Sequence, residues 1–366
     1  MKTVVSAGRF LLHKCGLLRF LEMNYAGGAG ILMYHNFDEA RKSEYKRQFE
    51  YLAGHYRVRP LAEIAQAIRR GSSLPERTVA VTVDDGYEDF SRVAYPLVKA
   101  CGIPVTVFLY TDFLDGKAWP WWDKVDYLCR NTALDRATVP LPAGVEVHLR
   151  LSGGPARGES ALTLQRAMKE LPVSELSGVL SRLEEKLRVH LPRLAPGDAA
   201  PLTWGEVRAL AAEGVDFGAH GASHTILSRL RSAPEIRREV EASAERIQEE
   251  LGARPEHFCY PNGRYEDIGP LARSVVERSG FRCAVTSEAG FNRGCPDPLM
   301  LERIGIDPWF PYSLFRERLA GTGVLRKQLE NVFPRLFPRA RAPVSAYTGC
   351  STDAEWTFSD SGSGVF

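Results

Sequence analysis

The stretch Val79-Ala80-Val81-Thr82-Val83-Asp84-Asp85-Gly86-Tyr87 carries an apolar, β-branched run directly into two carboxylates and a glycine. A short continuous run of this kind reads as a strand buried on both faces. Beyond it, Asp89–Ala100 has a helical pattern, Gly102 stands where that helix should stop, and Val105–Tyr110 is a second buried run. Strand, helix and strand in this order imply two parallel strands joined by a crossover. The rhythm extends from residue 30 to about 310, with strand candidates at Gly30–Tyr34, Val215–Ala219, Phe258–Tyr260, Cys283–Thr286 and Leu301–Ile306. Helical patterns fall at Leu61–Arg70, Trp204–Glu213, Pro234–Leu251 and Ile268–Ser279, and Thr203 with Glu206 forms a capping box ahead of one of them. The expectation is an α/β fold with a parallel sheet, open or closed into a barrel whose chemistry lies at the C-terminal strand ends.

The 366 residues are 44% apolar and 25% charged, the balance of a globular chain rather than a disordered or multi-span membrane one. Lys and Arg number 47 against 45 Asp and Glu, so the basic excess of a nucleic-acid binder is missing and no nucleic-acid partner is expected. Seven scattered cysteines with no C-x-x-C argue against a disulfide framework or a thiolate zinc site and fit a reducing, cytoplasmic compartment. No partner protein can be inferred.

Residues 1–23 read as an amphipathic helix, either packed on the domain or laid on an anionic membrane surface through Phe10, Leu11, Leu17, Leu18 and Phe20. Charged residues interrupt every stretch that would serve as a cleaved signal. The main domain is expected over 24–320. Residues 115–200, opening with Trp119-Pro120-Trp121-Trp122 and holding helical runs near 160–171 and 174–190, break the rhythm and read as a helical insertion over the mouth without a core of its own. A basic helix is expected over 321–341 and a disordered tail over 342–366. The two basic ends raise peripheral contact with the inner face of a membrane as an alternative to ordinary solvated helix faces.

Three polar clusters end strand candidates. Asp84 and Asp85 repel each other, and a divalent cation bound by one resolves the cost while the other serves as a base. His220 and His224, at i and i+4, share a face if the residues between them form a helical turn. Two imidazoles and a carboxylate suit Zn²⁺, with Co, Ni or Mn as alternatives. Tyr260-Pro261-Asn262-Gly263 is a turn able to aim a backbone N–H at an oxyanion. Taken together, Asp85, His220 and His224 form a metal-ligand set with open positions for water and substrate.

These motifs resemble those of the polysaccharide deacetylases with a NodB homology domain, carbohydrate esterase family four. The family's T-F-D-D-G reads Thr82-Val83-Asp84-Asp85-Gly86, its H-[ST]-x-x-H reads His220-Gly221-Ala222-Ser223-His224, and its R-x-P-[YF]-G reads Cys259-Tyr260-Pro261-Asn262-Gly263. The resemblance spans residues 30–310 and implies a distorted (β/α) barrel, a metal-dependent hydrolase of non-peptide carbon–nitrogen bonds, Asp84 as general base, and Asp85, His220 and His224 as ligands. Its substrate would be an N-acetylated glycan or, with the membrane reading, a lipid-linked sugar. Two departures stand out. Cys259 replaces the arginine that orients the base, which leaves Arg264 or Arg303 as substitutes, and the late L-x-H acid is missing. His35, after Ile31-Leu32-Met33-Tyr34, is the candidate acid or substrate contact. Trp119, Trp121, Trp122 or Trp309 would offer faces to a pyranose or pack in the core. The rival readings are a non-catalytic carbohydrate-binding member of the same fold and an amidohydrolase of a small non-sugar amide.

Overall fold

Short runs of β-branched and apolar residues with no polar face must be covered on both sides, and a closed parallel barrel wrapped in helices does this. The computed structural model describes residues 28–322 and residue 324. The strands are β1 (Gly30–Tyr34), β2 (Arg57–Val58), β3 (Thr78–Val83), β4 (Val105–Leu109), β5 (Arg136–Pro140), β6 (Glu146–Arg150), β7 (Asp216–Ala219), β8 (His257–Cys259), β9 (Cys283–Ala289) and β10 (Leu301–Gly305). Seven of them run parallel in the order β1-β10-β9-β8-β7-β4-β3, and pairing of β1 with β3 closes the ring, while β2 adjoins the start of β3. The seven barrel strands are the seven predicted from the buried runs, and all six residues of β3 are buried.

The helices are α1 (Lys42–His55), α2 (Leu61–Arg69), α3 (Tyr95–Ala100, entered through a π-helical turn at Phe90–Ala94), α4 (Thr111–Leu114), α5 (Trp121–Asn131), α6 (Gly154–Lys169), α7 (Val173–Leu187), α8 (Trp204–Ala212), α9 (Ala233–Leu251), α10 (Tyr265–Arg278) and α11 (Tyr312–Leu319). The Thr203–Glu206 capping box opens α8 as its sequence implies. Helix α1, which buries Tyr45, Gln48, Phe49 and Leu52, was not among the expected elements.

Two local irregularities aim site residues. Between β9 and β10 the register shifts from Leu301↔Val285 to Arg303↔Ala289, so β9 spends extra residues beside Arg303. Such a bulge redirects a side chain. On β7, Gly218 lets the backbone pass close to its neighbours: a Cβ there would stand 2.5 Å from the Phe108 ring and 2.9 Å from the His257 carbonyl oxygen.

The segment between β4 and β7 corrects one expectation. It contains an antiparallel β5–β6 hairpin beside its helices, and it has its own apolar core, including Val125, Leu128, Val139, Leu149, Leu164 and Leu183. The alternation Val145, Val147, Leu149, Leu151 is the strand signal, and Val147 and Leu149 are buried with polar residues between them. Hydrogen bonds tie this layer to the barrel: Gln165 Nε2 to the Trp122 carbonyl (2.8 Å), Trp122 Nε1 to the Tyr87 hydroxyl (3.2 Å), and that hydroxyl to Asp123 (2.7 Å). The expected segments 1–23 and 342–366, and nearly all of 321–341, lie outside the described residues.

Because a methyl group at Gly218 displaces a buried ring, Gly218→Ala is expected to cost about 1–3 kcal/mol of overpacking. Urea denaturation measures it, and an unchanged midpoint would show that Phe108 yields freely.

Candidate metal centre

Asp84 and Asp85 leave the end of β3 almost completely buried, at 2% and 1% exposure. Two adjacent buried carboxylates each need separate compensation. For Asp84 it comes from Arg303 on β10, 1% exposed, whose Nη1 and Nη2 each donate to one carboxylate oxygen at 2.7 Å. Arg303 is itself fixed by donation from Nε to the Thr286 carbonyl in the bulge (2.6 Å), from Nη1 to Thr82 Oγ1 (3.2 Å) and from Nη2 to Cys259 Sγ (3.2 Å). Burial alone would push the Asp84 carboxyl up; Arg303, then His35, outweigh it and hold it below the ordinary range. Arg264, the other substitute considered, pairs with Glu266 at 3.6 Å instead.

Asp85 takes left-handed backbone (φ 72°), as do His224 (φ 56°) and Asn262 (φ 60°). These are three of the six non-glycine residues in that region among the described residues, a concentration of strain typical of functional sites. Asp85 Oδ1 stands 3.3 Å from Nε2 of both His220 and His224, is buried, and has no hydrogen-bond partner.

His220 Nδ1 lies 2.7 Å from the Cys259 carbonyl, which can only accept, so Nδ1 carries the proton and Nε2 turns its lone pair toward Asp85. The two rings meet edge to face at 4.7 Å. The expected helical turn between them is not formed. Gly221 (φ 80°) and His224 both adopt left-handed backbone, and the turn is pinned to α9 by Glu239, which accepts the Ser223 N–H at 2.9 Å and the Ser223 hydroxyl.

One carboxylate oxygen of Asp85 and the two imidazoles lie within 4.8 Å of one another, as ligands of a single ion must. An unpartnered buried carboxylate oxygen facing a nitrogen lone pair fits a cation between them. A second group, Asp84, His220 and Cys259, is equally close, but Arg303 already occupies both oxygens of Asp84 and donates to the thiol.

The remaining predicted residues are divided. His35 Nε2 lies 3.6 Å from Asp84 Oδ2, with 21% of the side chain exposed, and burial lowers its pKa although Asp84 and Asp85 pull upward. Tyr260 lines the cleft, but it has no free donor for an oxyanion. Its hydroxyl donates to the Leu299 carbonyl (3.1 Å) and its N–H to the Val285 carbonyl (3.2 Å), so both donors are committed. Pro261 has no N–H, and Gly263 donates back to Pro261 (2.7 Å), which leaves the Asn262 N–H as the donor of this turn. The Asn262 side chain bonds Lys169 and Asp267, and its carbonyl accepts from Ser287 Oγ at 2.6 Å.

A cleft of about 500 Å³ opens on this centre, lined by His35, both aspartates, both histidines and Arg303. Trp119, Trp121 and Trp122 line it, and Trp122 packs edge-on against His224 at 4.9 Å. Trp309 does not line it. Met168, Lys169, Leu176 and Leu180 of the inserted layer form part of the wall, which sequence reading did not anticipate because the insertion carries no motif.

Removing the cation that balances Asp84 isolates the experiment to one interaction. With metal chelated from every sample, Arg303→Met is expected to destabilise the chain by about 3–5 kcal/mol, and adding Asp84→Asn should restore part of that loss. Urea unfolding reads both, and a fully stable single variant would show that Asp84 does not depend on Arg303.

Comparison with known proteins agrees with this geometry. Residues 179–284 match the family model described as polysaccharide deacetylase. Two curated relatives, poly-beta-1,6-N-acetyl-D-glucosamine N-deacetylases of Escherichia coli strains K12 and O157:H7, are each 37% identical over 65 residues, 18% of this chain. The chain spans only a tenth of their length. The Streptococcus pyogenes deacetylase PplD, solved in complex with acetate, superposes with a TM-score of 0.52 at 18% identity, over 80% of this chain and 98% of that one. IcaB from Ammonifex degensii gives 0.49 at 16% identity, over 80% and 97%. The chain thus matches the polysaccharide deacetylase model over residues 179–284 and shares the barrel fold of PplD.

Proposed function

We propose that the chain is a metal-dependent deacetylase that hydrolyses the amide of an N-acetylated sugar, with Asp85, His220 and His224 holding the metal. The observation that carries this reading is the buried, unpartnered Asp85 oxygen 3.3 Å from two imidazole nitrogens. A two-nitrogen, one-oxygen set suits zinc, and a divalent ion held there would supply Lewis acidity and lower the pKa of water.

The chain's own groups supply the proton transfers. Asp84, kept ionised by Arg303, accepts a proton from the attacking water. A carboxylate held below its usual range passes that proton on readily, and His35 at 3.6 Å is placed to receive it and deliver it to the leaving nitrogen. The Asn262 N–H serves as donor to the developing oxyanion. The products are acetate and a free amine, so the proton lost by water ends on nitrogen. The indole walls of the cleft offer faces for a pyranose.

The small-amide reading loses ground to the size of the cleft, which exceeds what one acetamide group needs. The non-catalytic reading leaves the Asp84–His35 contact without a use. No helix among the described residues is long and apolar enough to cross a membrane. A cytoplasmic placement, resting on the scattered cysteines, and peripheral membrane contact with a lipid-linked substrate, resting on residues 1–23 and the basic end, belong to this proposal.

Metal analysis by mass spectrometry, joined to an acetate-release screen over N-acetylated oligosaccharides and lipid-linked sugars, tests the assignment. Asp85→Ala should lose both metal and acetate release. Asp84→Asn should keep the metal and lose about 10²–10⁴-fold in rate. Full metal content in Asp85→Ala would refute the ligand set. The membrane component has its own test: the full chain should sediment with anionic vesicles and a chain lacking residues 1–23 should not, and equal behaviour removes that component.

A further inference from the structure

A second pocket, of about 190 Å³, lies beside the metal cleft, and Trp119 lines both. Five carboxylates line it, those of Asp38, Asp89, Asp123, Asp126 and Asp198, against a single cationic side chain, Arg130. Some of their oxygens are spoken for. Arg130 Nε donates to Asp126 Oδ2 (2.5 Å), the Tyr87 hydroxyl to Asp123 Oδ2 (2.7 Å), the Phe37 N–H to Asp89 Oδ2 (2.9 Å), and Arg92 approaches Asp198 at 3.7 Å.

Four buried acceptor atoms of this lining have no hydrogen-bond partner, Oδ1 of Asn36, Oδ2 of Asp38, Oδ1 of Asp89 and Oδ1 of Asp126, although the Asn36 side chain lies near enough to Asp89 to favour its ionised form. Asp89 is only 3% exposed and Asp126 only 9%. Buried acceptors of this kind are normally satisfied, so the pocket is built to receive donors. A single metal ion is a poor match. Among the described residues, ligating groups converge closely enough for one ion only at the two sets around His220. The acceptors here are spread out and ask for spread donors. Aromatic walls from Phe37, Trp119, Tyr127 and Trp309 complete the pocket. Its volume of about 190 Å³ leaves room for several waters or one small polar molecule.

We propose that this pocket binds an amino sugar, with the protonated amine and ring hydroxyls donating to the unpartnered oxygens and an aromatic face against the ring. Identifying it as the seat of a deacetylated residue next to the reacting one rests on the deacetylase reading above; the recognition of an amine does not. Burial pushes the carboxyls of Asp89, Asp123 and Asp126 upward, and a bound ammonium is the partner that would reverse this. A partly deacetylated glycan would then bind better than a fully acetylated one, because its amines fill this pocket while the next acetamide faces the metal.

The test is isothermal titration of the full chain with glucosamine at a pH where its amine is protonated, with glucose and N-acetylglucosamine as competitors and calcium chloride as a separate titrant. The proteins are wild type, Asp85→Ala and the double variant Asp89→Asn with Asp126→Asn. Asparagine keeps an oxygen for Phe37 N–H and for Arg130, so the fold has no new unpaired group except the added N–H₂. Support is glucosamine binding of equal strength in wild type and Asp85→Ala, at least tenfold weaker in the double variant, and not displaced by the neutral sugars. If the double variant does not fold, Asp126→Asn alone must show the same weakening. Binding unaffected by the variants, binding lost in Asp85→Ala, displacement by glucose, or calcium binding that the variants abolish would each overturn the proposal. A wild type that binds glucosamine as described but releases no acetate from any sugar sinks the deacetylase reading and leaves the amine pocket standing; the reverse pattern does the opposite.

Discussion

Two carboxylates on neighbouring residues, both buried, form the constraint around which the barrel mouth is organised. Neither is taken out of water without compensation, and in this chain the two are compensated by different groups. Asp84 receives a guanidinium that is itself sealed inside the barrel. Asp85 turns one oxygen toward two imidazole nitrogens at 3.3 Å, and that oxygen has no hydrogen-bond partner, a geometry that fits a cation between them. Separate environments thereby give separate tasks to chemically identical side chains.

The parallel barrel makes this convergence possible. All seven of its strands end on the same rim, so residues far apart in sequence meet without long loops. Asp84 and Asp85 leave β3, His220 leaves β7, Cys259 ends β8 and Arg303 comes from β10. The Cys259 carbonyl sets the His220 tautomer, while the Cys259 thiol accepts from Arg303, which reaches Asp84 from β10, one strand removed from β3. An arginine at position 259 would compete for the same carboxylate, so the lost motif residue and the β9–β10 bulge are two parts of one solution.

The inserted layer changes what this mouth can hold. Its apolar core lets it stand as a rigid wall, and the Gln165–Trp122–Tyr87–Asp123 chain of hydrogen bonds fastens it to the barrel directly beside His224. Residues of this layer line both recesses at the barrel mouth. One is lined by Asp84, Asp85, His220 and His224, the other by five aspartates, and Trp119 belongs to both.

The sequence alone was sufficient for the barrel strands, because runs such as Thr78–Val83 are too apolar to be anything but buried and too short to be helices. It also singled out Asp84, Asp85, His220 and His224, since costly polar residues at the ends of such runs have few explanations. The β5–β6 hairpin was readable in the alternation from Val145 to Leu151 but is short and easily lost between helices. Tertiary structure alone decided the rest. Whether Arg264 or Arg303 meets Asp84 depends on a register shift that no local pattern announces. The histidines share a ligand position through left-handed turns rather than through helical spacing. The acidic pocket is assembled from residues between Asn36 and Trp309 whose separate contexts are unremarkable. Local patterns report what a residue needs, burial or a partner; only the closed chain determines which partner is within reach.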